Sequence, residues 1–368
     1  MKNNNEIINI LATDYIYLPY LENMELHIKN GEYIYKDDLI LSNDSNNIYS
    51  TVSGNVLGLT ILNNKKYIVI ENDYKDKVKK RIGTKKFINK YTKDEFIDLI
   101  NKYKIIENFD TTSKVLIVNG IEEYIDDITH NTLLKTNTLE ILDTIDALID
   151  IMNIRKCFLA VSNNDEDTIN ILLNNIGTYP KIDLKMFTPN HVISKKEVLI
   201  DKLTKYRNKK YNIQYLNLKN VLKMYNLLKK QRPTSNTYLT VSNDDYKKVL
   251  NVKIGSNLND ILNELKIENK NIIVNGLLSG THLKDRNFII DEKISSIYIS
   301  EIKKYQEKEC INCGLCISVC PININPKYMH FNKDKKSKHY KELCINCGLC
   351  SYNCPSKINL NKEVSNND

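Results

Sequence analysis

Two short cysteine runs near the C-terminus constrain this sequence more than any other feature. The first reads Cys310-Ile-Asn-Cys313-Gly-Leu-Cys316-Ile-Ser-Val-Cys320-Pro321, and the second reads Cys344-Ile-Asn-Cys347-Gly-Leu-Cys350-Ser-Tyr-Asn-Cys354-Pro355. Both follow the pattern C-x2-C-x2-C-x3-C-P. A loop of this kind wraps three thiolates around three corners of a 4Fe-4S cubane, while its backbone amides point at the sulfides. The sequence therefore predicts two 4Fe-4S clusters.

The fourth corner of each cubane needs a cysteine from outside its three-cysteine loop. In two-cluster ferredoxins the fourth cysteine of each run ligates the cluster of the other run, which makes the domain a pseudo-twofold pair. We assign the ligands on this basis. The first cluster takes Cys310, Cys313, Cys316 and Cys354, and the second cluster takes Cys344, Cys347, Cys350 and Cys320.

The residues around these cysteines fit the same prediction. Gly314 and Gly348 are expected in the tight turn between the second and third ligands, where a Cβ would crowd the inorganic sulfur. Zinc is the alternative metal, but zinc sites need neither a third cysteine at the same interval nor a following proline. The ninth cysteine, Cys157, follows the helix-like stretch Thr138 to Met152 and is predicted to be a buried free thiol.

Charge and hydropathy limit the partners and the compartment. The formal net charge of +8 falls to about +4 if each cluster and its four thiolates carry about −2. The basic residues are spread along the chain, so no nucleic-acid surface is predicted. We find no stretch of about 18 apolar residues and no export signal at the N-terminus. A cytoplasmic protein without a transmembrane segment is expected, and in that reducing compartment the cysteines serve as metal ligands.

The chain is long enough for two to four domains, and its pattern predicts a multidomain α+β protein. Residues 1–85 are predicted as short strands broken by turns, and residues 86–233 as alternating helices and apolar strands of an α/β (Rossmann-like) layer. Within the second region lie the strands of Lys114 to Gly120 and Cys157 to Val161. Arg232 to Asn236 form a natural break.

Resemblance to known domains predicts a more specific fold for parts of the chain. Residues 1–85 resemble a barrel-sandwich hybrid of the biotinyl and lipoyl carrier type, although no modifiable Met-Lys-Met or Asp-Lys-Ala motif is present, so a structural role is favoured. Residues 234–300 are similar to the soluble-ligand-binding β-grasp (SLBB-type) domain. The matching signature consists of Val252, Ile254, Gly255 and Ser256, followed by Val274, Gly276 and Gly280. Residues 301–368 are the predicted two-cluster ferredoxin domain.

These four modules in this order resemble the RnfC family, whose members belong to the Rnf electron transport complex, a membrane-bound ion-pumping ferredoxin:NAD oxidoreductase. The resemblance covers nearly the whole chain. Its most specific elements are the eight cysteines, Val52-Ser53-Gly54, Ile70-Glu71-Asn72-Asp73, Asn119-Gly120 and the β-grasp signature. It implies a peripheral protein on the inner face of the cell membrane, with NADH and FMN bound by the α/β part and electrons passed on by the clusters.

The cofactor motifs of that family are altered here. The family has a G-x-G-G-A-x-F-P-x-x-x-K loop, but Tyr103 to Lys114 contains no glycine, and Ile105, Ile106 and Glu107 would block or repel a phosphate. The glycine is also absent from Tyr179 to Lys185, which is the counterpart of Y-P-x-G-x-E-x-Q-L. We therefore expect NADH and FMN binding to be weakened or lost.

One further motif survives in shortened form. The N-G-A-E-C-E-P-Y run of the family appears as Asn119-Gly120-Ile121-Glu122-Glu123-Tyr124. Asn119, Gly120, Glu122 and Glu123 are thus the candidate residues of a degenerate FMN or NADH site. The alternative for the two glutamates is a solvated face or a helix N-terminus.

Three functions are consistent with these patterns. In the first, the chain is an electron-transfer protein whose partners are a ferredoxin, a flavoprotein or the membrane proteins of an Rnf-like complex. In the second, a soluble relative feeds a dedicated reductase linked to amino acids or cobalamin, without an NADH or FMN site of its own. In the third, the clusters only brace a scaffold or assembly protein. No catalytic constellation surrounds the cysteines in sequence, and we assign the chain no catalytic residue.

Overall fold

The computed structural model describes residues 6–10, 13–79, 86–104, 106, 109–190, 192–204, 212–267, 271–300 and 306–361. Over these ranges the chain is a mixed α/β, multidomain protein with four β-sheets and a helical C-terminal segment. No helix within these ranges has the length and apolar character needed to cross a bilayer.

The N-terminal part is built from strands, as its turn-rich sequence predicts. They are β1 (Ile7–Asn9), β2 (Tyr15–Pro19), β3 (Glu25–Leu26), β4 (Tyr33–Ile34), β5 (Leu39–Ser42), β6 (Asn47–Tyr49), β7 (Gly54–Leu62) and β8 (Lys65–Asn72). One antiparallel sheet has the order β2-β8-β7-β4, and a second has the order β3-β5-β6. Their inward-facing residues share one core, which includes Ile16, Leu18, Ile40, Val52, Ile68 and Ile70.

Glycine is required where β7 begins. A Cβ on Gly54 would lie 1.8 Å from the carbonyl oxygen of Glu71 on the paired strand β8. A side chain of any size would therefore push the two longest strands of this part of the protein apart.

The central part is a parallel sheet covered by helices. After a 3-10 turn at Ile88–Lys90 come α1 (Lys93–Tyr103), β9 (Val115–Gly120), α2 (Thr129–Thr136), α3 (Thr138–Met152), β10 (Lys156–Ser162), α4 (Glu166–Ile176), β11 (Ile182–Phe187), α5 (Lys196–Thr204), β12 (Ile213–Asn217) and α6 (Leu218–Lys230). Helix α1 starts with a capping box, in which Thr92 and Glu95 satisfy each other's backbone amides. The strands run β11-β10-β9-β12, all parallel.

This strand order places a topological switch point between β9 and β12. The chain moves outward from β9 through β10 to β11 and then returns to the other side of β9. Ligands of open α/β sheets bind outside the carboxyl ends of the strands at such a point. The residues that follow β9 and β12 are therefore the place to look for a cofactor site.

A fourth sheet, with six strands, follows. It is formed with β13 (Asn236–Ser242), β14 (Lys247–Lys253), α7 (Leu258–Glu264) packed beside it, β15 (Asn271–Val274), β16 (Thr281–His282) and β17 (Ser296–Ser300). Strand β1 completes the order β1-β14-β13-β17-β15-β16 by pairing with β14 in parallel. Residues 1–85 are predicted from sequence as one N-terminal domain, but residues 7–9 belong to this sheet, whose other strands come more than 200 residues later. Local sequence patterns could not reveal this pairing.

The C-terminal part consists of short helices between the cysteines. They are α8 (Leu315–Ser318), α9 (Pro326–Phe331), α10 (Lys335–Leu343) and α11 (Leu349–Tyr352). Helices α9 and α10 fill the interval between the two cysteine runs, and α8 and α11 lie within the runs and contact each other.

Candidate metal centre

The eight cysteines of the two runs line two separate cavities. A cavity of about 160 Å³ is lined by Cys310, Cys313, Cys316 and Cys354, together with neighbouring apolar residues. A smaller cavity, of about 20 Å³, is lined by Cys320, Cys344, Cys347 and Cys350. Each cavity thus has three cysteines of one run and the last cysteine of the other. In the part of the chain that the structure describes, no three His, Cys, Asp or Glu side chains are arranged around a single metal ion.

Hydrogen bonds outside the cysteines hold the end of the second run beside the start of the first. The backbone amide of Lys308, just before the first run, donates to the carbonyl of Ser356 at 2.9 Å. The Ser356 hydroxyl donates to the carbonyl of Glu309 at 2.8 Å. The segment after the second run is therefore held against the start of the first, which brings Cys354 beside Cys310.

Gly314 and Gly348 are both required by their backbone conformation. Each precedes a one-turn helix with a left-handed φ, of 77° and 75°. Around Gly314 a Cβ would meet nothing within 4 Å, whereas on Gly348 it would lie 2.0 Å from the carbonyl oxygen of Leu278. The turn geometry explains both glycines, and the close approach of the β15–β16 loop adds a second reason for Gly348.

The two cavities differ in their access to solvent. Cys313 of the first cavity is exposed, and the side chains of Ile311 and Leu315 beside it are 66% and 44% exposed. In the second cavity Cys347 and Cys350 are buried. A group held in the first cavity would therefore be the one nearer to an external partner.

Burial sets the acidity of the thiols in the second cavity. Desolvation raises the pKa of Cys350 to about 12 and also raises the pKa values of Cys344 and Cys347. The backbone amide of Leu349 and the ammonium of Lys195 oppose the rise at Cys347. Because metals bind the thiolate form, loading of this cavity would release protons.

Lys195 connects the second cavity to the central sheet. It precedes α5, and its ammonium lies 5.0 Å from the centre of the Tyr124 ring, in the segment that follows β9. The same ring packs on the β15–β16 loop, because a Cβ on Gly276 would lie 2.3 Å from it. The second cavity therefore lies close to the loop that follows β9.

The candidate cofactor residues Asn119, Gly120, Glu122 and Glu123 all lie at the switch point, where β9 ends. The Asn119 carboxamide accepts a bond from the Ile121 amide at 2.9 Å, and a Cβ on Gly120 would lie 3.0 Å from the carbonyl of Ala160. These two residues support the turn itself. Glu123 is half-buried.

Glu122 caps helix α2. Its two carboxylate oxygens accept hydrogen bonds from the backbone amides of His130 and Asn131, at 3.0 and 2.7 Å. Desolvation, together with the neighbouring Asp127, raises the pKa of Glu122 well above its usual value. Helix N-termini at this position bind phosphate groups in dinucleotide-binding folds, but here a carboxylate of the chain uses those amides.

Asp126 and Asp127 fasten the same loop to the six-stranded sheet. Asp127 accepts bonds from the Thr129 amide at 2.8 Å and from the Thr240 hydroxyl at 2.6 Å. Asp126 accepts from the Leu277 amide at 3.1 Å. Sequence reasoning missed both aspartates, because their partners in the sheet are more than a hundred residues away.

Comparison with known proteins agrees with this geometry. Residues 309–358 match the family model of the 4Fe-4S dicluster domain. Over 360 residues the chain is 25% identical to the C component of the ion-translocating oxidoreductase complex of Buchnera aphidicola subsp. Acyrthosiphon pisum, covering 86% of this chain and 75% of that protein. The chain is a homologue of RnfC.

A further RnfC relative shows the same likeness. The C component of the proton-translocating ferredoxin:NAD(+) oxidoreductase complex of Clostridium ljungdahlii is 23% identical over 337 residues, which cover 82% of this chain and 72% of that protein. Among solved structures, a NAD+-reducing [NiFe]-hydrogenase superposes with a TM-score of 0.44 at 12% identity, covering 52% of this chain and 41% of that one. That likeness is too distant to carry any assignment.

The segments that depart from the RnfC motifs are only partly described. Ile105, Glu107 and Asn108 of the glycine-free segment lie outside the described residues. Beyond them Asp110 closes a turn by accepting bonds from Thr112 and Ser113.

The other departure lies in the turn before β11. There the Tyr179 hydroxyl donates to Asp143 at 2.7 Å. The Tyr179 side chain of this turn is therefore bonded to helix α3.

Proposed function

We propose that this protein transfers single electrons through two 4Fe-4S clusters in its C-terminal domain, with the ligands exchanged between the two cysteine runs. The observation that carries the proposal is the lining of the two cavities, each with four cysteines drawn three from one run and one from the other. Cubanes ligated by four thiolates carry one electron at a time. The first cluster takes Cys310, Cys313, Cys316 and Cys354, and the second takes Cys320, Cys344, Cys347 and Cys350.

The proposed division into domains follows from the same resemblance. Residues 1–85 form a barrel-sandwich domain, 86–233 the α/β domain, 234–300 an SLBB-type β-grasp domain and 301–368 the cluster domain. The two sheets with a shared core, the parallel sheet and the six-stranded sheet support the first three. The parallel pairing of β1 with β14 argues that a few N-terminal residues belong to the third.

The exposure of the cysteines supports an order of electron transfer. The first cluster, with exposed Cys313, exchanges electrons with a partner protein, and the second cluster, against Lys195 and the loop after β9, is the inner one. The partner is a ferredoxin, a flavoprotein or a membrane protein of an Rnf-like complex. In that last case the protein is peripheral on the cytoplasmic face of the membrane.

Binding of FMN or NADH by Asn119, Gly120, Glu122 and Glu123 is proposed to be weakened or lost. The support is the capping of α2 by Glu122, which occupies the amides that a phosphate would need. The chain then acts as a carrier that relies on other proteins for two-electron chemistry.

The test is cofactor analysis of the anaerobically purified protein. Iron, sulfide, flavin and NADH binding are measured on one sample, and the clusters are titrated by potentiometry. The proposal expects about eight irons, no flavin and reversible reduction within roughly −700 to +450 mV. Zinc in place of iron, or clusters that lose iron on reduction, would reject electron transfer, and the second result would favour a bracing role.

A further inference from the structure

A cavity of about 450 Å³ lies at the junction of the N-terminal strands, helix α6 and the six-stranded sheet. It is open at one side and is separate from the cysteines and from the residues that follow β9. Its size is within the range of small-molecule sites, roughly 300 to 1,000 Å³. Much of its wall comes from the connection between α6 and β13, which the sequence marks as a break between domains.

The wall of this junction cavity is positively charged. It contains five basic residues and two acidic ones, a formal excess of three positive charges. The basic residues are Lys36, Lys219, Lys223, Lys230 and Arg232, and the acidic residues are Asp37 and Asp76. Glu292 pairs with Lys223 and Lys253 pairs with Asp76 from just outside the wall, and these two additions cancel each other.

The internal ion pairs leave several donors facing the cavity. Lys219 is buried, which lowers its pKa, and it already donates to the carbonyls of Glu292 and Ile294 and to the Ser295 hydroxyl, so it offers no proton to a ligand. By contrast Arg232 is 3.5 Å from Asp37 through one nitrogen, which leaves other guanidinium protons for a ligand. Lys230 is exposed at the rim.

A buried hydroxyl points to a ligand independently of the charge. The Oγ1 atom of Thr234, on the wall, is shielded from solvent and has no hydrogen-bond partner among the described residues. Buried polar groups are nearly always satisfied, and an unmet one costs about 1 to 3 kcal/mol. A rotation of the Thr234 side chain would bring this hydroxyl to the surface of the cavity, where a ligand oxygen would supply the missing partner.

We propose that the junction cavity binds a small phosphate-bearing molecule. The phosphate group would be held by Arg232, Lys230 and the Thr234 hydroxyl, because the oxygens of a doubly charged phosphate accept charge-assisted hydrogen bonds from guanidinium and ammonium donors. The ring of Tyr238 and the side chain of Pro233 also line the cavity and would contact an apolar or aromatic body. The ligand would tie together the three parts of the chain that form the wall. This binding does not depend on the clusters.

The experiment is calorimetric titration of the full-length protein at fixed ionic strength, with inorganic pyrophosphate and with AMP as probes. Lys230→Gln removes one rim charge, and Lys65→Gln removes an equally exposed lysine from the distant β7–β8 hairpin. We expect about tenfold weaker binding of both probes to Lys230→Gln and unchanged binding to Lys65→Gln, since a charge-assisted hydrogen bond is worth about that factor.

Thr234→Val separates a ligand site from a structural role. The substitution keeps the shape of the side chain and removes the unpaired hydroxyl, so the free protein should be at least as stable, while both probes bind several-fold more weakly. If neither probe binds at millimolar concentration, or if the two lysine variants lose affinity equally, the proposal is overturned. Unaltered probe binding by Thr234→Val would overturn the placement of the phosphate.

Discussion

Replacing Cys320 by alanine should destroy the second cluster, whose other three ligands come from the later cysteine run. Cys320 ends the first run, but it lines the cavity of Cys344, Cys347 and Cys350. With the exchanged ligands, Cys320→Ala leaves the second cluster with three thiolates and the first with all four. Iron should fall from about eight per chain toward four, and one cluster signal should disappear from the reduced protein.

The iron content of double variants reveals which cluster is lost, so no spectral signal has to be assigned to a cluster. In Cys320→Ala/Cys347→Ala both changes affect one cluster, so the iron content should match that of Cys320→Ala. In Cys320→Ala/Cys313→Ala the two changes affect different clusters, so the iron content should approach zero. Cys157→Ala is the matched control, because Cys157 is buried in the central sheet, and there iron should stay near eight.

The assay is iron and sulfide determination on protein purified without oxygen, with electron paramagnetic resonance of the dithionite-reduced samples. The opposite order of the two double variants would refute the exchange of ligands, because Cys320 would then serve the cluster of Cys310, Cys313 and Cys316. Reciprocal behaviour of Cys354→Ala, which should spare the second cluster, provides an independent check of the same reasoning.

Three further predictions concern the surroundings of the clusters and the N-terminal strands. Lys195→Met should lower the reduction potential of the second cluster by a few tens of millivolts in potentiometric titration, because a nearby positive charge favours the reduced form; an unchanged potential would place Lys195 too far away. Gly348→Ala should reduce thermal stability by more than Gly314→Ala, since both have a left-handed φ but only Gly348 touches Leu278; equal losses would refute a role for that contact. In Asp73, burial is outweighed by hydrogen bonds from Ser53, Tyr33 and the Lys75 amide, which hold its pKa at about 2, below the unfolded value near 4; its stabilisation is therefore complete above about pH 4 and lost toward pH 2, and Asp73→Asn should flatten the melting temperature over that window.

Local patterns predicted the regular elements of the central part well. The apolar periodicity of Thr138 to Met152 defines a helix with the same bounds as α3, and the apolar run Lys114 to Gly120 becomes β9. These elements are decided by which face is buried, and that information is present within a dozen residues. The assignment of the eight cysteines to two clusters stays a prediction, and the lining of the two cavities is consistent with it.

Contacts between distant segments could not be predicted in this way. Lys195 lies near Cys347, and Asp127 bonds to Thr240, across separations that no periodicity encodes. Strand β1 pairs with β14 through backbone hydrogen bonds, which any sequence of extended residues can form. The junction cavity has the same origin, since its wall is assembled from three parts of the chain and no motif marks it.

The residues at the end of β9 support the proposal that FMN or NADH binding is weakened or lost. A parallel sheet with this strand order presents helix amides at its switch point, and those amides need a negative partner. Where a phosphate supplies the charge, the glycine turn must stay open. Here those amides donate to the Glu122 carboxyl group instead, and Asp126 and Asp127 tie the same loop to the six-stranded sheet. Tyr124 of that loop lies under Lys195, whose ammonium acts on Cys347 of the second cavity. We therefore expect Glu122→Gly to leave α2 without this cap and to loosen the surroundings of the second cavity.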